Sequence, residues 1–207
     1  MMGWLVNGTW TTQKPKVQRS GTAGEFIRPD SVHRHSIRAD GSSEFTPSAG
    51  RYHLYVAHAC PWANRVLIMR NLKGLRDAIS VSYVAPPMGA DGWVFDDEHP
   101  DELLGKRFLR DVYTTADPSY TGRVTVPILW DKESSRIVNN ESREIIRMLD
   151  HEFSGVANED DFAPPELVPY IEETIDAIYN PINNGVYRSG FARSQEAYDV
   201  AVTELFE

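Results

Sequence analysis

The feature that most constrains the fold is the stretch 51–75, RYHLYVAHACPWANRVLIMRNLKGL. Alternate residues of its first part share one face, as in a strand, and apolar residues of its second part recur at helical spacing. Gly74 occupies the position that ends many helices. Cys60 is therefore predicted at a strand-to-helix turn, directly before Pro61, which suits a first helical turn because its missing N–H costs nothing there.

Cys60 is the single cysteine of the chain. At a helix start, the free N–H groups and the positive end of the helix favour the thiolate over the thiol, which predicts a reactive cysteine. The alternative is an inert thiol, because free cysteines are often small core residues. The pattern CPWA resembles the Cys-x-x-Cys of thioredoxins, with Ala63 in place of the second cysteine. Since no internal disulfide can form, an external thiol must resolve any mixed disulfide on Cys60.

Composition argues against several classes of function. The 207 residues carry a net charge of −9, whereas nucleic acids and anionic membranes attract basic patches. We find no apolar run of membrane-spanning length and no signal core, and a single cysteine fits a reducing compartment, so we expect a cytoplasmic protein. The six histidines are scattered, and His33 and His35 have no cysteine or carboxylate at ligand spacing, so we expect no metal site.

The order of patterns predicts an α/β domain followed by helices. A strand over 78–84 completes a βαβ unit with a parallel pair of strands, and Pro86-Pro87 ends it. A polar loop over 88–105 contains Trp93, a large aromatic of the kind that often covers a ligand. Further patterns predict a short helix over 106–113 and a hairpin over 125–130 and 137–139. Pro127 would lie at the start of a strand, with a cis bond before it as one option. A helix is predicted from Glu141-Ser142, and two more over 167–179 and 194–206 on either side of a turn-rich segment at 181–190.

Four parts of the chain follow from these patterns. They are an irregular N-terminal extension at 1–50, an α/β domain at 51–153, a linker at 154–165 and the start of a helical domain at 166–207. Trp4, Trp10, Phe26 and Ile27 provide apolar anchors, so we expect the extension to dock in part.

Five segments together resemble the glutathionyl-hydroquinone reductases, the Xi class of glutathione transferases. They are YHLYVAHACPWANR (52–65), DGW (91–93), YTGRVTVPILW (120–130), NES (140–142) and NNGVYRSGFA (183–192). CPWA alone would be shared with Omega-type relatives, whereas the combination is specific. The resemblance implies a thioredoxin-like N-terminal domain, βαβ-ββα, followed by an all-α glutathione-transferase domain. Asn64 stands where such enzymes commonly have a histidine, and we expect this change to be tolerated.

The resemblance also implies a reaction and a site. The reaction is reduction of glutathionyl-hydroquinones, with glutathione as co-substrate and no metal. Cys60 would be the nucleophile, and Tyr187 would exchange a proton with the quinone-derived part. The implied glutathione-binding residues are Trp93, Arg123, Val124, Thr125, Val126, Glu141 and Ser142.

A structural role remains the alternative interpretation for four of these residues. Glu141 and Ser142 also suit an ordinary helix cap, and Arg123 could be a solvated side chain. Tyr187 could be a core tyrosine. Two alternative functions remain. One is an Omega-like transferase that uses the same cysteine on dehydroascorbate or protein mixed disulfides. The other is a truncated glutathione-binding module without catalysis.

The family comparison adds an expectation about the end of the chain. Family members carry several helices after Phe206, which provide further tyrosines near the reactive cysteine and much of a homodimer interface. We therefore expect an incomplete helical domain, in a fragment that binds glutathione but is weakly active or inactive on glutathionyl-hydroquinones. Apolar area should then be exposed around Tyr187, Phe191, Tyr198 and Val202.

Overall fold

The computed structural model describes residues 3–13 and 23–207. Contacts divide them into two units, the first made of residues 3–13 and 31–162 and the second of residues 23–30 and 163–207. The first unit thus includes residues 31–50 and 154–162, which the sequence predicts as extension and linker.

The first unit contains nine strands and three helices within the described residues. In chain order they are β1 (Trp4–Val6), β2 (Thr9–Thr11), β3 (Tyr52–Val56), α1 (Pro61–Leu72), β4 (Ile79–Tyr83), β5 (Ala85–Gly89), β6 (Gly92–Val94), α2 (Leu109–Ala116), β7 (Gly122–Arg123), β8 (Ile128–Asp131), β9 (Arg136–Asn139) and α3 (Ser142–His151). This order confirms the predicted βαβ-ββα arrangement. Helix α2 lies a few residues later than the predicted 106–113.

The central sheet has the strand order β4-β3-β8-β9. Strands β3 and β4 are parallel, as expected for a βαβ unit, and β8 runs antiparallel to both β3 and β9. Every residue of β3 is buried, and helices α1 and α3 contact each other. Gly74 follows α1 with φ +69°, the left-handed conformation that glycine adopts readily at a helix end.

Residues 3–13 correct the prediction of an irregular extension. Strands β1 and β2 form a hairpin, and β1 also pairs with β7. The two-residue turn is Asn7-Gly8, with φ of +47° and +73°, which is the sequence preferred where both turn residues need positive φ. Trp10 packs against the core, and its Nε1–H donates to the Ala90 carbonyl at 3.1 Å. The expected docking is confirmed for Trp10.

The segment after β4 also differs from its prediction. The sequence predicts that Pro86-Pro87 ends a strand before a polar loop, but β5 and β6 pair as a hairpin over this segment. Prolines are tolerated here because β5 is an edge strand of a separate two-stranded sheet. Trp93 consequently lies on a strand rather than in a loop.

The second unit is helical. It contains α4 (Val168–Ile178), a π-helical turn (Tyr179–Asn183), α5 (Gly185–Gly190) and α6 (Gln195–Phe206). The π turn and α5 replace most of the predicted turn-rich segment. Side chains of Phe191 and Tyr198 are 44% and 46% exposed, as expected, whereas Tyr187 and Val202 are half-buried. In the described part of the chain, no helix combines the length and apolar character needed to cross a membrane.

Candidate active site

Cys60 immediately precedes the first turn of α1. Its φ of −101° and ψ of 111° are extended, Pro61 is the first helical residue, and the Asn64 N–H donates to the Cys60 carbonyl at 2.9 Å. The half-buried thiol donates to the carbonyl oxygen of Val126 at 3.6 Å. The predicted position at a strand-to-helix turn is therefore confirmed, and the sulfur lies at the positive end of the helix.

The segment Val124 to Val126 leads into a cis peptide bond before Pro127. Tyr113 holds this segment from α2, because its hydroxyl donates to the Thr125 carbonyl at 3.0 Å. Burial raises the pKa of Tyr113, which keeps that hydroxyl protonated as a donor. Asn140 donates to the same hydroxyl oxygen at 3.2 Å. The backbone beside the cysteine is thus anchored by buried side chains.

Glu141 and Ser142 lie at the N-terminus of α3. Glu141 is the residue before the helix, and its Oε1 accepts from the Arg143 N–H at 3.2 Å, so the helix-cap interpretation is observed. Its Oε2 accepts from the Ser31 hydroxyl at 3.1 Å. A cap of this kind does not exclude ligand binding, because each carboxylate oxygen has two lone pairs.

Arg65 is a residue of this region that the sequence does not single out. It lies on α1, and its Nε and Nη2 donate to the Ser142 hydroxyl oxygen at 3.0 and 2.7 Å. Nη2 also lies 3.7 Å from Glu141 Oε1, and the guanidinium carbon is 4.7 Å from the centre of the Trp62 ring. Arg65 therefore connects the cysteine-bearing helix to the N-terminus of α3. Its only sequence signal is membership of the segment 52–65.

The donors on Ser142 have a chemical consequence. A hydroxyl oxygen has two lone pairs and one proton. With two N–H groups of Arg65 directed at the oxygen, the Ser142 proton remains to be donated elsewhere. Ser142 is almost fully buried, and these two contacts hold its side-chain oxygen in place.

The remaining predicted residues have different surroundings. Trp93 is half-buried on β6 and packs against the core. Arg123 ends β7, pairs with Trp4 across the ladder, and its carbonyl accepts from the Tyr120 hydroxyl at 3.0 Å. Tyr187 belongs to the second unit, and its predicted role stays a prediction.

Tyr187 is packed by residues of the N-terminal segment 23–30. Its ring stacks with Phe26 at 6.4 Å between ring centres, and the Arg28 guanidinium carbon lies 4.2 Å from the ring centre. Arg28 Nε also donates to the Asn184 side chain at 2.6 Å. The expected docking is thus confirmed for Phe26, and Ile27 remains 44% exposed.

Comparison with known proteins supports the family resemblance. The family model described as "Glutathione S-transferase, N-terminal domain" matches residues 59–152. The chain is 50% identical over 210 residues to glutathionyl-hydroquinone reductase PcpF of Sphingobium chlorophenolicum, covering all of this chain and 65% of that protein. It is 49% identical to glutathionyl-hydroquinone reductase YqjG of Escherichia coli, covering all of this chain and 66% of the relative.

Solved structures agree. The Xi-class glutathione transferase of Natrialba magadii matches with a TM-score of 0.88 and 48% identity over 99% of this chain and 62% of the other. This chain is a homologue of the Xi-class glutathione transferases. The glutathione-bound structure of YqjG matches the homologue described here with a TM-score of 0.86, over 99% of this chain and 63% of that one.

These matches confirm the predicted thioredoxin-like fold of the Xi-class homologue. The chain spans only 65% and 66% of the length of the reductases PcpF and YqjG. All the predicted site residues except Tyr187 lie inside the matched range 59–152.

Proposed function

We propose that this chain performs the glutathione-dependent reduction of glutathionyl-hydroquinones, with Cys60 as the nucleophile. The observation that carries the proposal is the position of the Cys60 thiol at the start of α1, beside the Val126 carbonyl. The proposal is also supported by the 49–50% identity of this chain to two glutathionyl-hydroquinone reductases.

The N-terminus of α3 offers partners for the γ-glutamyl end of glutathione. The Glu141 carboxylate would pair with the ammonium group, and the Ser142 proton, at the positive end of the α3 dipole, would bind the carboxylate. Arg65 supports this arrangement because it occupies the lone pairs of Ser142 and leaves its proton for the ligand. Arg65 is thus a positioning residue in this proposal.

The rest of the tripeptide would lie along the segment 123–126. Backbone groups of Val126 would pair with the peptide part of glutathione, as an added strand pairs with a sheet edge. Arg123, Val124 and Thr125 continue this edge, and Trp93 would flank the ligand. The buried contacts of Tyr113 to Thr125 keep the edge in one conformation before the ligand binds.

The chemistry requires two sulfur transfers. The Cys60 thiolate attacks the glutathionyl sulfur of the conjugate, so that the S–S bond forms while the bond from sulfur to the aromatic carbon breaks. That carbon takes up a proton and leaves as the hydroquinone. A second glutathione, as its thiolate, then attacks the mixed disulfide, releases oxidised glutathione and restores the Cys60 thiolate. Each cycle oxidises two glutathionyl sulfurs and reduces one aromatic carbon.

Tyr187 is the proposed proton donor on the quinone side. A phenol can donate a hydrogen bond or a proton to the leaving hydroquinone. The packing of its ring against Phe26 and Arg28 limits the orientations open to its hydroxyl. This role is carried by the family motif at 183–192.

The test is turnover of three substrates by the purified chain with excess glutathione. Hydroquinone release from a glutathionyl-hydroquinone, measured by chromatography, should exceed reduction of dehydroascorbate or of a glutathionylated protein. A preference for either of the latter would favour an Omega-like transferase, which shares the CPWA motif. Glutathione binding by calorimetry without product from any substrate would identify a non-catalytic binding module and overturn the proposal.

A further inference from the structure

Three potential metal ligands meet where α3 ends. Asp150 and His151 are the last two residues of the helix, and Asp161 lies in the segment that follows it. One ligand atom from each of the three side chains lies within 4.8 Å of the others. The sequence predicts no metal site because its histidines are scattered, but folding brings a histidine and two carboxylates together.

Asp150 has one oxygen that the described residues leave without a hydrogen bond. The Asp150 side chain is fully buried. Its Oδ1 accepts from the Phe162 N–H at 3.3 Å and lies 3.4 Å from the Lys73 ammonium. Its Oδ2 has no hydrogen-bond partner and lies 3.6 Å from His151 Nε2, which is too long for a hydrogen bond. A buried carboxylate oxygen without a donor is costly, so its position calls for a cation.

We propose that Asp150, His151 and Asp161 bind a divalent transition-metal cation of the zinc type. Zinc takes imidazole and carboxylate ligands at about 2.0–2.2 Å, which puts neighbouring ligand atoms roughly 3.3–3.6 Å apart in a tetrahedral site. The 3.6 Å between His151 Nε2 and Asp150 Oδ2 fits this spacing. Imidazole disfavours calcium and magnesium, which prefer oxygen ligands.

The local charge agrees with a cation at this position. The site lies at the C-terminal end of α3, where the helix dipole is negative and free carbonyls accumulate. Lys73 opposes it, but its ammonium interacts with Oδ1 and donates to the Asp160 carbonyl. Because the ammonium interacts with Oδ1, Oδ2 remains available to the metal.

Binding would fasten the segment after α3 to the helix. This segment is already attached to the end of α1, because the Asn158 N–H donates to the Lys73 carbonyl at 3.0 Å. A metal joining Asp161 to the helix would add a second attachment. Since only the folded chain presents the three ligands together, zinc should raise the melting temperature in proportion to its occupancy.

The test uses the tag-free full chain in a Cys60→Ser background, so that the thiol cannot bind the metal. Zinc chloride is titrated by calorimetry and in thermal melts, beside magnesium chloride. We expect one zinc per chain, a rise in melting temperature, and no comparable magnesium binding. His151→Gln and Asp161→Asn change exposed side chains, and the metal-free melting temperature of each variant serves as its own baseline. Each should weaken zinc binding at least about tenfold.

His99→Gln is the matched control, because His99 forms a pair with Asp96 at 3.0 Å outside this cluster. Its zinc affinity should equal that of the parent. Absence of stoichiometric zinc binding, equal affinities of the His151→Gln and His99→Gln chains, or magnesium binding as tight as zinc would each overturn the proposal.

Discussion

The Cys60 sulfur and the Val126 carbonyl oxygen lie 3.6 Å apart although 66 residues separate them in sequence. The register of the sheet explains this proximity. Strand β3 ends shortly before Cys60 and β8 begins just after Val126-Pro127, and the antiparallel pairing places Tyr55 opposite Ile128. The end of one strand therefore meets the start of the other at a single edge of the sheet. The reactive thiol and the backbone proposed to bind the peptide come from these two adjoining ends.

Cys60→Ser should abolish formation of a mixed disulfide with glutathione. A serine side chain fits the same position before Pro61, but its hydroxyl cannot form a disulfide. Intact mass spectrometry after incubation with oxidised glutathione should show one glutathionyl group on the parent chain and none on the variant. Turnover of a glutathionyl-hydroquinone by the variant at the parent rate would remove Cys60 from the mechanism.

Glu141→Gln should weaken glutathione binding by about 1.5–3 kcal/mol, because a charged hydrogen bond to the ligand ammonium is lost. Glutamine keeps an acceptor for the Arg143 N–H, so the start of the helix is retained. Calorimetry of the purified variant provides the measurement. Glu144→Gln is the control, since it removes a charge from the first turn of the same helix. Equal losses in the two variants would indicate a general charge effect and exclude a contact of Glu141 with the ligand.

Arg65→Lys should weaken glutathione binding by about 0.5–1.5 kcal/mol, since lysine cannot direct a two-pronged fork at the Ser142 oxygen. We expect the dissociation constant of glutathione to rise while the mixed disulfide still forms on Cys60. Arg76→Lys serves as control, because Arg76 donates to the exposed Asn71 side chain near the end of α1. An unchanged affinity in Arg65→Lys would show that Ser142 needs no orientation by the arginine.

Tyr187→Phe should slow hydroquinone release without changing the affinity for glutathione. Phenylalanine keeps the ring that packs on Phe26 and Arg28 but lacks the phenolic proton. The loss expected from one proton donor is about 10²–10⁴-fold in the rate of release. Tyr198→Phe, on the exposed side of α6, is the control. If both variants released hydroquinone at the parent rate, Tyr187 would be a packing residue alone.

Stability should rise with pH between about 4 and 6.5 through His53. Burial lowers the pKa of His53 to about 4, and its ring nitrogens lie 2.7 and 3.0 Å from the hydroxyls of Ser80 and Ser82. Between about pH 4 and 6.5, His53 is protonated in the unfolded chain but stays neutral in the folded chain. The contribution of neutral His53 to the free energy of unfolding is fully present above pH 6.5 and is lost as the pH falls towards 4.

The size of this effect is about 3 kcal/mol at neutral pH. Unfolding by urea should therefore show that His53→Gln costs more stability at pH 7 than at pH 4, because at low pH the parent has lost this contribution. An equal cost of His53→Gln at both values would contradict the assignment of a neutral, buried imidazole.

The sequence by itself determined the elements that depend on local pattern. The alternation before Cys60, the helical spacing after Pro61 and the position of Gly74 predict β3, α1 and its end correctly. The hairpin over residues 3–13 has one clear sequence signal, because Asn7-Gly8 is a strongly preferred turn pair. It was not predicted, because the three-residue strands on either side are too short to show an alternating pattern. The β5–β6 hairpin was hidden because proline is disfavoured in most strands.

Only the tertiary structure decided which side chains meet. Arg65 reaches Ser142 across 77 residues, and Asp161 returns to the end of α3 because a loop folds back onto Asp150. Periodicity reports which face of an element is apolar, not which polar side chain of another element lies opposite. That choice depends on sheet register and helix packing, which are set by many contacts distant in sequence. The nucleophile could thus be identified from its own turn, whereas its positioning arginine and the proposed metal ligands could not.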